Sequence, residues 1–339
     1  MKKLLCALLC LALLLTAGLS LADTPQPIST VPWDELPAVN EGQHHYLLLC
    51  IDQWNKPARP ADAEAPVSST GQRRDMYGNT DGIVLLTLDT RAHRIMLTSF
   101  IRDALILKPT STDDQQKIGR INYVYNDSGP EALCRVISEH IGVRVEKFIL
   151  FNFGQIQDII SYLGGVDIEI TSSEIAYLHR YRVPYKSVVS LDNKYDVYRT
   201  GDCPPGVYHF SGHSAVLYMR IRKAGGGGDF MRTQRVRTVL STLADKCRVM
   251  TWDQAQDLAN NIMEHNNVTN LNLEEVLQAA EYAYSLRDCT IEELRVPPDG
   301  AAHPINYANM SAQELDWEVC RQAMEDFLQS SFLVVDDEE

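Results

Sequence analysis

The chain has 339 residues, a formal net charge of −14, 45% hydrophobic residues and 22% charged ones. That length supports a core of domain size, and the acidic balance opposes general nucleic-acid binding, which needs a broad basic footprint. No C₂H₂ spacing, RNP-like strand or basic amphipathic arm offsets that exclusion.

At the N-terminus Lys2 and Lys3 precede an uncharged stretch from Leu4 to Ala22, with Ser20 and Ala22 at the small-residue positions of a cleavage site. Residues 1–22 therefore predict export. The segment is either a signal peptide that is removed or a signal anchor that stays, since about 20 apolar residues cross a bilayer. Lysines left on the inner side agree with that orientation. Residues 23–41, rich in Pro and polar groups, read as a linker.

His45 to Asp52 reads as a buried strand ending in an acid, and residues 53–80, broken by Pro57, Pro60 and Pro66, as a long loop of the kind that usually carries function. Gly82–Asp89 and Arg94–Ile101 form a hairpin pattern through a turn at Thr90–His93. Gly129 and Pro130 open an amphipathic helix to about His140. Lys147–Phe153 is a strand, a helix follows to Leu163, and a Gly164-Gly165 turn leads to the strand Val166–Ile170. The alternation predicts an α/β sandwich. After a polar loop (Ser172 to Gly206), a helix from about Ser211 leads to four glycines, Gly225 to Gly228. The next helix runs from about Asp229, suited to its N-cap, to Lys246. The main domain is thus expected over 42–250. Residues 251–339 read as a mostly helical C-terminal part packed on it, with one strand near Thr290–Val296 and an acidic tail at Asp336–Glu339.

Between Arg220 and Arg237 the acidic chain reverses its charge. Arg220, Arg222, Lys223, Arg232, Arg235 and Arg237 stand against the single acid Asp229. A solvated helix face usually mixes Lys and Glu at i,i+4 spacing. An arginine-dominated run instead suits phosphate oxygens, which the planar guanidinium grips in a bidentate way. The following helix carries Val236, Val239, Leu240 and Leu243 as an apolar stripe that should face the sheet. Arg232 and Arg235 lie at its N-terminal end, where the helix dipole favours anions.

The ends of α/β strands collect ligands. Asp52 closes the first strand, Asp81 opens the second, and Arg102 with Asp103 closes the third. Two acids beside an arginine-rich run suit a Mg²⁺ bridging carboxylates and a diphosphate. Asp103 is better read as a partner of Arg102 or of a backbone amide. Arg120 and Asn122 form a further polar group near the start of a helix.

Six cysteines follow the leader. Cys50 and Cys134 read as small buried hydrophobes, whereas Cys203 with Cys247 and Cys289 with Cys320 are candidate disulfides of an exported chain. No CxxC or His-rich spacing suggests zinc. There is no GxSxG, Ser-His-Asp set or Walker motif, which fits phosphoryl transfer performed by positioning and electrostatics.

The motifs LLLCID, NTDGIVLLTLD, SFIRD, RINYVY, NFGQIQDIISYLGGVDI, FSGHSAVLYMRIRK and DFMRTQRVR, in that order, resemble the LytR-CpsA-Psr family over Tyr46 to Leu243. The resemblance implies an α/β/α sandwich with a central mixed sheet and an apolar lipid-binding cavity for a polyprenyl chain. It also implies an extracytoplasmic location, through an N-terminal signal anchor or after cleavage. The implied activity moves an anionic glycopolymer, such as teichoic acid or capsular polysaccharide, from a polyprenyl-diphosphate carrier to peptidoglycan. By position, Asp52 and Asp81 correspond to the family's metal-associated acids. Arg102, Arg120, Arg220, Arg222, Arg232 and Arg235 correspond to its diphosphate-binding arginines, with Asp81, Arg102, Arg220 and Arg222 as catalytic candidates. Two positions depart. Asn79 stands where many members carry arginine, which Arg73 or Arg74 could replace from the long loop, and Val236 stands where glutamine usually follows.

Two rival activities fit the same residues: a non-catalytic polyprenyl-phosphate binding protein, which Val236 and Asn79 would favour, and a pyrophosphatase acting on such carriers. A transcriptional regulator is opposed by the leader, the charge and the lack of a helix-turn-helix pattern.

Overall fold

A computed structural model describes residues 24–54, 74–112, 115–180, 188–190, 202–221, 228–265 and 268–333, together with residues 59, 63, 64, 66, 67, 196, 197 and 224. The leader, Arg73, Arg222 and the acidic tail lie outside the described residues. In chain order the elements are β1 (Gln43–Ile51), β2 (Thr80–Asp89), β3 (Arg94–Phe100), β4 (Leu105–Leu107), β5 (Ile118–Arg120), α1 (Val124–Ser128), α2 (Pro130–Ile141), β6 (Lys147–Phe151), α3 (Phe153–Tyr162), β7 (Val166–Ile170), α4 (Ser172–Arg180), β8 (Val188–Ser190), β9 (Gly206–Phe210), α5 (Gly212–Met219), α6 (Gly228–Arg248), α7 (Trp252–His265), α8 (Leu273–Ser285), β10 (Ile291–Val296), β11 (Ala302–Tyr307), β12 (Met310–Leu315) and α9 (Trp317–Leu333).

The central sheet has five strands in the order β10-β3-β2-β1-β6. It is mixed, because β1, β2 and β3 pair antiparallel while β6 joins β1, and β10 joins β3, in parallel. Side chains alternate across it, as the two-residue period of a strand requires. Leu47, Leu49, Ile51, Ile83, Leu85, Met96, Phe148 and Leu150 fill one face together with Leu133, Val136 and Ile137 of α2 and Trp317, Cys320 and Met324 of α9. The other face, with Leu48, Cys50, Val84, Leu86, Ile149 and Phe151, turns toward α6, α7 and α8. The layers are helix, sheet, helix. A second core lies around the three-stranded sheet β7-β9-β8 with α3, α4 and α5.

Several sequence expectations change. Residues 24–41 are not a loose linker. Ile28 and Leu36 are buried, the Val31 amide donates to the Glu139 carbonyl at 2.8 Å, and Arg144 donates to the carbonyls of Trp33 and Leu36. The polar loop expected from Ser172 contains α4, whose buried face Ile175 and Leu178 is too short to stand out from its charged neighbours. The strand expected near Thr290–Val296 forms as β10 and joins the main sheet as an edge strand, whereas the hairpin β11-β12 was concealed by its short polar strands. Helix α6 starts at Gly228, one residue before the expected cap. All six cysteines from Cys50 to Cys320 are free thiols, so neither candidate disulfide forms. Among the described residues no helix is long and apolar enough to cross a membrane.

Candidate functional site

The site starts from an irregularity in the ladder. Cys50 pairs with Gly82 but Ile51 pairs with Thr80, so Asp81 is an extra residue on β2 with no partner opposite. Such a bulge re-aims a side chain and frees its backbone. Both effects are used here, because Arg232 of α6 donates one bond to the Asp81 carbonyl at 2.8 Å and lies 2.7 Å from its carboxylate Oδ1. Arg102 reaches the same Oδ1 at 2.7 Å.

From there charges alternate in a row. Asp103 stands 3.7 Å from Arg102 and accepts from Arg120 Nη1 at 2.8 Å, while the Arg120 guanidinium lies 4.3 Å above the Tyr123 ring. The order is Arg232, Asp81, Arg102, Asp103, Arg120, three cations to two anions. The buried end is at Arg232 and Asp81, whose side chains are 3% and 7% exposed. Burial would raise the Asp81 carboxyl, but Arg232 and then Arg102 more than reverse it and hold the group below the usual carboxylate range. Asp81 is therefore an anion at neutral pH, and it orients two guanidiniums.

Arg220 completes the positive end. It caps α5, is exposed, and its guanidinium lies 4.6 Å above the ring of Phe153, the first residue of α3. No carboxylate pairs with it among the described residues.

Asp52 lies just past β1. Its Oδ1 accepts from the Asn79 amide at 2.8 Å and from the Gln53 side chain at 3.3 Å, both neutral donors, so its charge is not cancelled. Gly78 makes this possible. It sits at φ +90° with the Asp52 carboxylate 3.1 Å from where a Cβ would be, and a larger residue would clash and be strained. Asn79, at the departing position, turns its side chain to Asp75 at 3.2 Å, and Arg74 is exposed. Two carboxylates at the ends of adjoining strands, one of them uncompensated, are donors of the type Mg²⁺ takes. Among the described residues no cluster of three or more His, Cys, Asp or Glu could hold a metal by itself.

Behind this polar end lies a cavity of about 440 Å³. Its walls are the open face of the sheet and the inward faces of α6, α7 and α8, and Asp81, Arg220 and Arg232 stand at one end of it. The expected stripe Val236, Val239, Leu240 and Leu243 forms one wall. Along α6 the hollow reaches from Arg232 to Arg248, about 24 Å at the rise of an α-helix.

The structure brings Asp81, Arg102, Arg220 and Arg232 together at this mouth, with Asp52 nearby. Arg222 falls outside the described residues. Arg235 is a correction. It is 1% exposed and its guanidinium bonds Glu174 at 2.7 Å and the carbonyls of Ile221 and Ala224 at 2.9 Å, so it braces the chain after Arg220 instead of facing the cavity. Arg120 is likewise committed to Asp103 and Tyr123, one pair removed from Asp81. Sequence reasoning did not single out Phe153, which carries Arg220. An aromatic residue at the strand-to-helix turn was its only signal.

The model of the LytR_cpsA_psr family matches residues 42–324. This chain belongs to the LytR_cpsA_psr family. The match runs past Leu243, where the resemblance ends, and takes in β10, β11, β12 and α9 as far as Met324. Among relatives, the chain is 25% identical over 171 residues to the "Polyisoprenyl-teichoic acid--peptidoglycan teichoic acid transferase TagV" of Bacillus subtilis strain 168, a match covering 50% of this chain and 39% of that protein. TagT of the same organism, named for the same transfer, is 23% identical over 281 residues, 83% of this chain and 76% of TagT. The chain thus spans well under half of TagV's length but most of TagT's. A solved structure described as "TagT bound to LIIa-WTA" superposes with a TM-score of 0.60 at 19% identity, covering 88% of this chain and 95% of that one. That likeness shows that the LytR_cpsA_psr fold is shared.

Proposed function

We propose that this chain is an extracytoplasmic phosphotransferase that moves an anionic glycopolymer from a polyprenyl-diphosphate carrier to peptidoglycan. The observation that carries the reading is an apolar cavity whose one end meets a cluster of arginines around a buried acid. A molecule with a long hydrocarbon tail and a doubly charged head fits that division, and the activities for which TagV and TagT are named support it. Burying the tail yields roughly 25 cal/mol per Å² of apolar surface, and the guanidiniums at the mouth supply charge-assisted bonds to phosphate oxygens.

In the proposed reaction Arg220, Arg102 and Arg232 hold the diphosphate, joined by Arg222. Asp81 aims Arg102 and Arg232, and Asp103 with Arg120 fixes Arg102 from the other side. A sugar hydroxyl of peptidoglycan attacks the phosphorus that bears the glycan. The bond from that phosphorus to the bridging oxygen breaks, and polyprenyl phosphate leaves with the electron pair. The arginines neutralise the charge that develops on the leaving phosphate. Asp81 is a poor base because its partners hold it ionised. The hydroxyl proton passes to the leaving polyprenyl phosphate, whose charge it reduces.

Mg²⁺ is proposed on Asp52 and Asp81, where an arriving diphosphate competes with Asp81 for its two arginines. Bound there, it would neutralise phosphate charge. The leader would place the domain on the outer face of the cell membrane.

The test is transfer from a synthetic polyprenyl-diphosphate glycan to peptidoglycan fragments, with Mg²⁺ and with EDTA. Coupled product with Mg²⁺, lost with EDTA, is expected. Carrier binding with no product would instead favour a binding protein, for which Val236 at the cavity wall is the specific support. Glycan phosphate released without acceptor would favour a pyrophosphatase.

A further inference from the structure

Beside the arginine mouth lies a group of aromatic rings that the reaction above does not use. Gly212 opens α5 at a crossing so tight that a Cβ there would stand 2.1 Å from the Gln157 carbonyl of α3. Only glycine permits that approach. It brings the next residue, His213, within 2.9 Å of the Gln157 side chain, and its ring stacks on Trp54 at 5.2 Å between centroids and 25° between planes. Trp54 meets Phe153 edge-on at 5.7 Å, and Phe153 in turn carries the Arg220 guanidinium. The Phe153 amide donates to the Gln53 carbonyl at 2.9 Å, which ties this turn to the chain leaving β1. Trp54 is half-buried, and its indole N–H has no hydrogen-bond partner among the described residues.

The register tells which side of the mouth this shelf occupies. The cavity borders Leu48 and Cys50 of β1 and their partners Val84 and Gly82 of β2. Asp52, Gln53 and Trp54 continue β1 past the level of Asp81, away from the hollow. A molecule with its tail in the cavity and its charge at Arg220 and Arg232 would extend its remaining part toward Trp54.

We infer that Trp54, backed by His213 and Phe153, is a subsite for a pyranose ring, resting on the diphosphate-carrier reading of the mouth. A flat indole covers the C–H face of a sugar, and its N–H can donate to a hydroxyl. The sugar belongs to the donor, as the first residue attached to the diphosphate, or to the acceptor glycan.

Calorimetric titrations of the full chain separate these cases. The probes are a short polyprenyl diphosphate, the same lipid bearing one N-acetylglucosamine, and a soluble N-acetylglucosamine tetramer. The wild-type chain should bind the sugar-bearing lipid roughly two- to tenfold more tightly than the bare one. Trp54→Ala should abolish that difference and leave the bare lipid unchanged, while Trp54→Phe, which keeps the packing, should retain part of it. Tetramer binding that Trp54→Ala removes would assign the shelf to the acceptor. Equal binding of both lipids with no binding of the tetramer, or a loss shared by the bare lipid, overturns the subsite and leaves the carrier reading intact. Failure of the wild-type chain to bind either lipid overturns the carrier reading and this inference with it.

Discussion

Leu47 and Leu48 are neighbours in β1 and point to opposite faces of the same sheet, yet Leu47 is wholly buried among side chains and Leu48 borders a hollow. On the filled face, α2 and α9 press large, buried side chains into the sheet. On the other face α6, α7 and α8 enclose a space of about 440 Å³. Closed and dry, such a void would cost on the order of 10 kcal/mol. A protein that carries it gains by having it occupied. One face therefore holds the fold together, and the other leaves the space that the proposed carrier would fill.

The largest effect is expected where the hollow face ends, at Asp81. Asp81→Asn should lower transfer by roughly 10²- to 10³-fold and the folding free energy by about 3–5 kcal/mol, because Arg232 stays buried against a neutral amide. A transfer assay and denaturant unfolding measure the two losses, and loss of stability alone would leave Asp81 a structural residue. Acid should reveal the same group. The Asp81 carboxyl is held below the usual range, so its contribution is present at neutral pH and is lost as pH falls through that lowered value. The wild-type stability curve should fall more steeply there than that of Asp81→Asn.

Next comes the contrast between the faces. Leu47→Ala should cost about 2–5 kcal/mol, since it opens a void in the packed layer, whereas Leu48→Ala should cost less than about 1.5 kcal/mol, since it only widens a space already present. Equal shifts in the unfolding midpoints would mean that the two faces are packed alike. Filling the hollow separates stability from binding. Ala280→Phe, on the cavity wall, should leave the melting temperature unchanged or raised and weaken binding of a polyprenyl diphosphate by roughly tenfold or more. Unchanged affinity would remove the cavity from the mechanism. The smallest effect is expected at Val236, where Val236→Gln places an amide one helical turn beyond Arg232. Turnover should rise roughly two- to tenfold, as one bond to a charged phosphate allows. A fall would show that the apolar wall at that point is itself required.

Local signals made much of this legible. Strand periodicity placed β1, β2, β3, β6 and β7 within a few residues, and the Thr90–His93 turn formed where the pattern broke. Residues 172–180 and 302–315 were not legible, because short elements with mixed polarity carry little period and are decided by what they pack against. The two arginines of α6 show the same limit within one helix. Arg232 and Arg235 look equivalent in the sequence, but one faces the sheet bulge and the other faces Glu174.

The sequence by itself determined the alternation that puts apolar groups on both sides of the sheet, the apolar stripe of α6, and the arginine supply beside two strand-end acids. These depend on neighbours in the chain, and residue type and spacing express them directly. Only the tertiary structure decided which apolar face would be filled and which left hollow. It also decided that Asp81 would be the bulged residue shared by Arg102 and Arg232, that Arg235 would brace instead of facing the cavity, and that Trp54 would stack on His213 with its edge to Phe153. Each of these is a contact between segments far apart in the chain, where the outcome depends on volumes and distances across the fold.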